Sequence, residues 1–391
     1  MNMRYGEIKI LCWVVLSFFL FSCEKDEPDI VTTSRKTLFM YLPWSSNLTT
    51  NFYTNISDME ECIKKRGLKD EKVVVFMSSS STEASMFEIV YKNGKCERKT
   101  LKSYTNPSFT TAEGITSILN DMKTFAPASI YAMTIGCHGM GWLPVDRMKT
   151  MLSVSSVKMH WDYEGKPLTR YFGGLTSEYQ TDISTLAKGI ADAGIKMEYI
   201  LFDDCYMSSI EVAYELRNVT DYLIASASEI MAYGMPYAVI GEYLLDDSDF
   251  QAVCDGFYDF YSAYSMPYGT LAVTVCAELE DLATIMKKIN TEYIFDESFE
   301  NALQRMDGYT PIIFYDYGDY VEKLCKDPVL LERFEQQLSR AVPYKVHTDY
   351  FYSVTKGRVP IYTFSGITTS DPSKHSLTVS KTDTEWYKAT H

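Results

Sequence analysis

Two apolar runs constrain the fold of this chain more than any other feature. IYAMTIGCHG at residues 130–139 and EYILFDDC at residues 198–205 place apolar side chains on both faces of an extended backbone. Strands of this kind are typical of the centre of a mostly parallel sheet that is covered by helices on both faces. The sequence therefore predicts an α/β fold, with any chemistry just beyond the carboxyl ends of these central strands.

The rest of the chain continues the alternation of strands and helices. Further strands are predicted at 37–46, 72–80, 221–228 and 270–278. Asn93-Gly94 between two extended runs predicts a β-hairpin, because both residues adopt the left-handed conformation readily. Amphipathic helices are predicted at 57–65, 110–126, 181–194, 208–219, 250–264 and 281–294.

Each central run ends in a side chain that is capable of proton or thiol chemistry. His138 is followed by Gly139 in HGMGW, and glycine permits a close approach of the backbone to a ligand. Cys205 ends its run and precedes a predicted helix, whose dipole would favour the thiolate. An imidazole within reach would complete an activated nucleophile. On spacing alone, a structural histidine and a core cysteine fit the pattern equally well.

The residues around His138 and Cys205 resemble two motifs of the clostripain family of cysteine peptidases. HGMGW resembles the family motif H-G-G-G-W, and FDDCYMSSIEVAYEL resembles the run D-x-C-L-M-[SG]-x-x-E-x-x-Y-E-[LI] around the family nucleophile. Similarity at LFMYLPWSSNL, ASASEIMAYGMPY and PIIFYDYGDYVEKL extends the resemblance over about residues 37–390. It implies a caspase-like fold, shared with gingipains, legumains and separases, in which a mostly parallel sheet carries a Cys/His dyad and is followed by a C-terminal extension.

Carried over position by position, the resemblance implies a role for each site residue. Cys205 would be the nucleophile, and His138 the general base that later protonates the leaving amine. The N–H groups of Gly139 and Cys205 would form the oxyanion hole. Asp203 matches the family residue that lines the S1 pocket and pairs with a substrate Arg or Lys. Ser228 and Glu229 would lie on the substrate side of the site.

Strand alternation supports this position for Asp203. It places Asp203 and Cys205 on the same side of their strand, about 6.5 Å apart along it. In an alternative interpretation Asp203 caps the next helix, although Asp204, which faces the other side, is the better candidate for a cap. Three departures from the family pattern are Met140 for Gly, Tyr206 for Leu and Met235 for Trp.

The segment 143–180 is long and aperiodic, and segments of this kind are usually functional. It falls where family members are sometimes cleaved to release activity. Basic residues that would suit an Asp203 pocket stand at Arg147, Lys149, Lys158, Lys166 and Arg170. The alternative is a surface loop that is never cut.

The N-terminus predicts a bacterial lipoprotein. Residues 1–22 combine a short positive region with an apolar stretch of signal-peptide length that ends before Cys23. A lipidated Cys23 and an acidic tether at 23–36, similar to the export signal of Bacteroides lipoproteins, would anchor the peptidase domain 37–391 to the outer membrane at the cell surface. The alternative is an ordinary signal peptide that is cleaved elsewhere.

Charge and cysteine content limit the partners. The formal charge of −15 argues against nucleic acid and leaves the lipid anchor as the expected membrane contact. Apart from Cys12 and Cys23, the cysteines show neither a C-x-x-C pair nor metal-ligand spacing, so no metal site is expected. No cofactor is expected, and calcium, on which some family members depend, has no EF-hand-like loop here. The expected partners are proteins or peptides with a basic P1 residue.

Two other functions fit parts of the sequence. A catalytically silent lipoprotein that binds peptides or glycans would keep the fold, but it would not require His138, Asp203 and Cys205 together. A serine α/β-hydrolase would need a G-x-S-x-G nucleophile elbow, and the sequence contains none. A cysteine endopeptidase that cleaves after Arg or Lys is therefore the leading hypothesis.

Overall fold

The computed structural model describes residues 33–45, 47–146 and 179–391. The predicted signal peptide, Cys23 and most of the predicted tether lie outside the described residues, as do the five basic positions between 147 and 170. Within the described ranges, no helix has the length and apolar character that crossing a membrane requires.

A nine-stranded sheet forms the centre of the fold. Its strands are β1 Ser34–Leu42, β2 Glu71–Ser78, β3 Glu83–Lys92, β4 Lys95–Thr105, β5 Ala128–Ile135, β6 Met197–Phe202, β7 Thr220–Ala225, β8 Thr270–Val275 and β10 Tyr344–His347. They are arranged in the order β10-β8-β7-β6-β5-β1-β2-β3-β4. The strands from β7 to β2 pair in parallel, and antiparallel strands complete both edges. The predicted α/β fold with a mostly parallel sheet is confirmed.

The central strands are buried on both faces, as the unbroken apolar runs predict. Leu38, Phe39 and Met40 of β1 are fully buried, and so are Ile200 and Leu201 of β6. Two apolar faces require a layer of helices on each side, because an uncovered face would expose these side chains to water.

The sheet begins earlier than the sequence predicts. β1 starts at Ser34, so residues 34–36, predicted above as part of the tether, belong to the sheet. Lys36 is fully buried there. Its ammonium group lies 2.7 Å from a Glu198 carboxylate oxygen and donates to the Asp246 carbonyl at 2.6 Å. This pairing offsets the cost of burying the charge, which a strand-propensity argument does not anticipate.

The helices pack around this sheet. They are α1 Thr49–Arg66, α2 Ala112–Phe125, α3 Ile183–Asp192, α4 Ile210–Leu216, α5 Tyr237–Leu245, α6 Phe250–Ala263, α7 Leu279–Glu292, α8 Tyr317–Leu324, α9 Pro328–Ala341 and α10 Glu385–Thr390. Side-chain caps fix several of the starts, because they bond backbone N–H groups that the helix leaves unpaired. The Thr111 side chain accepts from the Gly114 N–H at 3.1 Å, and Asp249 accepts from the Ala252 N–H at 3.0 Å.

The order of the strands creates a switch point between β1 and β5. The chain runs from β1 to β2 on one side of β1, and later returns to place β5 on its other side. Ligands of open α/β sheets bind in the crevice that such a reversal leaves at the carboxyl ends of the strands. His138 and Cys205 follow β5 and β6 at this edge of the sheet.

Among the described residues, two short antiparallel strand pairs lie outside the nine-stranded sheet. β11 Tyr350–Ser353 pairs with β12 Gly357–Pro360, and β13 Thr368–Thr369 pairs with β9 Tyr315–Asp316. A bridge between Ser209 and Thr368 joins this region to the start of α4. The C-terminal residues therefore support the segment that follows Cys205.

Candidate active site

Two turns at the carboxyl ends of β5 and β6 bear His138 and Cys205. Each residue lies three positions after the last residue of its strand, Ile135 or Phe202. These last residues are opposite each other in the parallel pairing of the two strands. The Asp203 N–H extends the pairing by donating to the Ile135 carbonyl at 2.7 Å. The two strand ends therefore meet, as the sequence predicts.

Gly139 brings the two turns into direct backbone contact. A Cβ atom at this position would lie 2.3 Å from the Cys205 carbonyl oxygen and 3.1 Å from the Cys205 nitrogen. Because both distances are shorter than ordinary van der Waals contact, only glycine lets the backbone after His138 approach Cys205 this closely. The glycine of HGMGW thus allows the turn after β5 to pack directly on the turn that bears Cys205.

Asp204 joins the same two turns by hydrogen bonds to Cys137. Its carboxylate accepts a short hydrogen bond from the Cys137 N–H, and the Cys137 thiol lies 3.3 Å from its second oxygen. The expectation that Asp204 caps the next helix is therefore wrong. That helix, α4, begins at Ile210, and its cap is Ser209, whose hydroxyl accepts from the Val212 N–H at 3.2 Å.

The prediction that a helix dipole favours the Cys205 thiolate is also wrong, because α4 starts too far along the chain. Cys205 is separated from Ser209 by a turn, so its thiol is not placed at the helix N-terminus, and a helix dipole does not act on it directly. Tyr206 turns the chain at this point with φ of 62°, the left-handed region that few non-glycine residues adopt. Any activation of the thiol has to come from neighbouring side chains and backbone groups.

The Cys205 thiol is fully buried beneath Ile230. Its sulfur accepts from the Ile230 N–H at 3.3 Å and lies 3.9 Å from the Ile230 carbonyl oxygen. This contact could not be predicted from the side chain of Ile230, because only the backbone of this residue makes it.

His138 is bound by a residue that sequence reasoning missed. Its imidazole is 6% exposed, and its Nε2 atom lies 2.7 Å from the side-chain oxygen of Asn47. Asn47 stands in the turn between β1 and α1. A polar residue just after a central strand was the available signal, but its use requires knowing that β1 and β5 are neighbours.

Asp203 lies beneath the same segment as Cys205. Its carboxylate is fully buried and accepts from the Met235 N–H at 2.9 Å. The Asn55 side-chain amide donates to the Met235 carbonyl at 3.4 Å, and the Tyr261 hydroxyl donates to the Gly234 carbonyl at 2.7 Å. Residues 230–235 therefore cover both the thiol and this carboxylate, and we call them the covering segment.

Ser228 and Glu229 contact other parts of the protein in this structure. The Ser228 hydroxyl lies 3.0 Å from the Thr270 hydroxyl. The Glu229 carboxylate accepts from the Tyr206 hydroxyl at 2.8 Å and from the Val354 N–H at 3.1 Å. Both residues are buried and support the turn after Cys205. Their role on the substrate side stays a prediction.

Tyr206 and Met140, which depart from the family motifs, pack in one cluster with Tyr309 and Phe314. The Tyr206 ring stacks on Phe314 at a centroid distance of 5.0 Å, and burial raises its pKa far above the usual range. The Tyr309 hydroxyl lies 3.3 Å from the Met140 sulfur. The larger side chains therefore pack against the aromatic rings of Phe314 and Tyr309.

A cavity of about 80 Å³ lies beside the His138 turn. Cys137, His138 and Asp204 contribute to its lining, whereas Cys205 and Asp203 do not. The cavity therefore lies away from the place where Asp203 would form an S1 pocket. Across the described ranges, no cluster of three or more His, Cys, Asp or Glu side chains is arranged to hold a metal ion.

Comparison with known proteins shows which family this chain belongs to. The model of the clostripain family, Peptidase_C11, matches residues 40–327. No curated protein matches the chain. Among solved structures, a secreted C11 cysteine protease from Bacteroides thetaiotaomicron, "iotapain", is 61% identical with a TM-score of 0.86, and the match covers 92% of this chain and 100% of that one.

Two further structures extend the comparison. A clostripain from Bacteroides thetaiotaomicron in complex with the peptide inhibitor BTN-VLTK-AOMK is 66% identical over 56% of this chain and 99% of that one, with a TM-score of 0.56. An inactive zymogen C11 protease from Parabacteroides distasonis is 25% identical over 92% and 99% of the two chains, with a TM-score of 0.75. The family match over most of the chain, together with 61% identity to a whole C11 protease, makes this protein a cysteine protease of the clostripain family.

Proposed function

We propose that this protease cleaves peptide bonds after Arg or Lys with Cys205 as nucleophile and His138 as general base. The observation that supports the proposal best is the contact of the two turns, in which the Gly139 backbone packs on the Cys205 backbone. A histidine and a cysteine at the carboxyl ends of adjacent parallel strands satisfy the first requirement of a Cys/His dyad, which is proximity.

The proposed reaction proceeds in two steps. His138 takes the Cys205 proton, the thiolate attacks the scissile carbonyl carbon, and the N–H groups of Gly139 and Cys205 stabilise the resulting oxyanion. The C–N bond then breaks as His138 returns the proton to the leaving amine, which produces a thioester. Water, deprotonated by His138, hydrolyses the thioester and regenerates the thiol.

Asp203 is the proposed partner of the substrate's basic side chain. It stands two residues before Cys205, and its carboxylate would form charge-assisted hydrogen bonds with Arg or Lys at P1. The inhibitor bound by the Bacteroides thetaiotaomicron clostripain has Lys next to its AOMK group, which supports a basic P1 residue. Ser228 and Glu229, as neighbours of the covering segment, would shape the adjoining wall.

Substrate binding requires the covering segment to move. Cys205 and Asp203 are fully buried in the described conformation, so neither reaches a substrate until residues 230–235 shift. We propose that cleavage within 143–180, after one of its Arg or Lys residues, accompanies this activation. The relative from Parabacteroides distasonis is described as an inactive zymogen, which supports an inactive precursor in this family member too.

The proposed location is the outer membrane, with Cys23 lipidated and the peptidase domain exposed at the cell surface. The signal sequence and the acidic tether support it. The relative described as secreted supports export of the domain.

Hydrolysis of fluorogenic peptides tests the proposed activity. The purified full chain, in mild detergent and under reducing conditions, is assayed with Arg, Lys, Ala or Asp at P1, with and without calcium and after nicking by trypsin. We expect cleavage after Arg and Lys that disappears in Cys205→Ala. Cys254→Ala is the matched control, because Cys254 is equally buried but lies on α6, and it should keep the activity.

Three outcomes would contradict the proposal. Equal cleavage after Ala and Arg would refute the assignment of Asp203 to S1. Loss of activity in Cys254→Ala but not in Cys205→Ala would refute the dyad. If the wild type cleaves no peptide under any of these conditions, the proposed function fails, and the binding lipoprotein becomes the better hypothesis.

A further inference from the structure

We infer that Asn47 is a positioning residue for His138, because its side-chain oxygen determines which imidazole nitrogen holds the proton. This inference rests on the proposed role of His138 as general base. It adds a third residue to the reaction, and that residue acts only through the imidazole.

The sheet places Asn47 beside His138. β1 pairs with β5 in parallel, with Tyr41 opposite Ile135, and the Gly136 N–H donates to the Tyr41 carbonyl at 3.0 Å. The turns that follow these strands therefore run side by side. Since β6 borders β5 on its other side, the turn that bears His138 follows the strand between those that lead to Asn47 and Cys205.

A backbone hydrogen bond closes the turn that bears Asn47. The Leu48 N–H donates to the Ser45 carbonyl at 3.2 Å, and the Leu48 side chain is buried in the core. Helix α1 begins one residue later, at Thr49. Asn47 is therefore held between a buried anchor and the end of a central strand, which restricts where its amide can lie.

The hydrogen bond specifies the tautomer of His138. Its Nε2 lies 2.7 Å from Asn47 Oδ1, and an amide oxygen only accepts, so Nε2 must donate. A neutral imidazole has one ring proton, so Nδ1 is left with the lone pair that a general base needs. When His138 becomes an imidazolium, Nε2 is still protonated and the same bond persists. Asn47 thus suits both protonation states that the reaction requires.

The opposite tautomer would be inactive in this geometry. With a proton on Nδ1, His138 could not accept the Cys205 proton through that atom. Asn47 excludes this tautomer, and, being uncharged, it does so without favouring the imidazolium as a carboxylate would. Because His138 is 6% exposed, bulk water has little access to replace the contact once it is removed.

Steady-state kinetics of three variants test the inference. In Asn47→Ala, kcat with a basic P1 peptide should fall roughly 10- to 100-fold, a part of what a positioned general base contributes, while KM changes little. In Asn47→Asp the acceptor remains, but its charge should move the limb of the pH profile that reports His138 to higher pH. The matched control is Asn290→Ala, which removes an amide that lies 3.1 Å from Nε2 of His391 and should leave kcat unchanged.

A second measurement does not depend on catalysis. In Cys205→Ala protein, ¹⁵N NMR of the His138 ring, identified by its loss in Cys205→Ala/His138→Gln, should show a protonated Nε2 and an unprotonated Nδ1. Adding Asn47→Ala should produce a mixture of the two tautomers. If the wild type cleaved no peptide, the proposed function would fail, but this measurement would still decide the role of Asn47.

The inference is overturned by either of two results. One is a proton on Nδ1 in the neutral ring of Cys205→Ala protein. The other is an Asn47→Ala enzyme with the kcat, KM and pH profile of the wild type.

Discussion

Replacing Gly139 with alanine tests whether catalysis requires the close contact between the two turns. The new Cβ would lie 2.3 Å from the Cys205 carbonyl oxygen and 2.9 Å from the Asp204 Cβ. Since favourable C–H···O contacts have C···O distances of about 3.3–3.6 Å, the turns would have to separate by about 1 Å. A misplacement of about 1 Å can cost on the order of 100-fold in rate. We expect kcat/KM for a basic P1 peptide to fall by that factor.

The loss should exceed what destabilisation alone explains. Overpacking at Gly139 should lower the free energy of unfolding by about 1–3 kcal/mol, which urea denaturation measures. Gly194→Ala is the matched control: Gly194 has φ of +65° and no atom within 4 Å of its hypothetical Cβ, so alanine there costs about 1–2 kcal/mol through backbone strain alone. That variant should be less stable but fully active.

The comparison of the two glycine variants decides the question. If Gly139→Ala kept the kcat/KM of the wild type, the turns would tolerate the separation, and the argument from backbone contact would be wrong. If Gly194→Ala lost activity to the same extent, the loss in Gly139→Ala would reflect stability and not geometry.

Four further predictions concern other parts of the molecule. Asp203→Ala should abolish cleavage after Arg and Lys while the protein still folds; a retained preference for Arg in peptide assays would contradict the S1 assignment. Tyr206→Phe removes the hydroxyl that bonds Glu229 at 2.8 Å, so urea denaturation should show a loss of about 1–3 kcal/mol, and unchanged stability would refute a structural role for this bond. Burial raises the pKa of Glu211 from 4.5 to about 7, so between these values the unfolded chain releases a proton that the folded chain retains. Stability should therefore fall as pH rises through this window, by about 3 kcal/mol in all, and Glu211→Gln should flatten that slope in urea titrations; an unchanged slope would assign the pH dependence to other groups. Cys23→Ala should release the protein from the membrane fraction, and continued anchoring would contradict lipidation at Cys23.

The sheet could be predicted from sequence because its strands are apolar on both faces. The runs 130–139 and 198–205 correspond to β5 and β6, although each strand ends earlier than its run. The pattern of apolar residues indicates burial but does not show where the last hydrogen bond between two strands lies. A prediction from this pattern therefore extends each strand into the turn that bears His138 or Cys205. The start at Ser34 was missed for a related reason, since a buried Lys36 is explained only by its partner Glu198, far along the chain.

The contacts within the site depend on strand order, which the sequence does not specify. His138 and Asn47 are 91 residues apart, and they meet only because β1 lies beside β5. Asp204 was expected to cap a helix because local rules favour a bond to the next N–H groups. It bonds Cys137 instead, because the neighbouring turn is closer in space than the helix that starts at Ile210.

The covering segment shows why exposure of the site could not be predicted from its motifs. Its contacts with the Cys205 sulfur and with Asp203 use the backbone N–H groups of Ile230 and Met235, so any side-chain pattern could provide them. The bond to the Cys205 sulfur contributes about 0.5–1.5 kcal/mol net, whereas the bond to the Asp203 carboxylate involves a charged group and contributes about 1.5–3 kcal/mol. A substrate Arg or Lys that replaced Met235 at the Asp203 carboxylate would pair a charged donor with this acceptor and would therefore offset most of the cost of opening. On the proposed function, recognition of the basic residue and exposure of the thiol would then be a single event, and a peptide without that residue would leave the site closed.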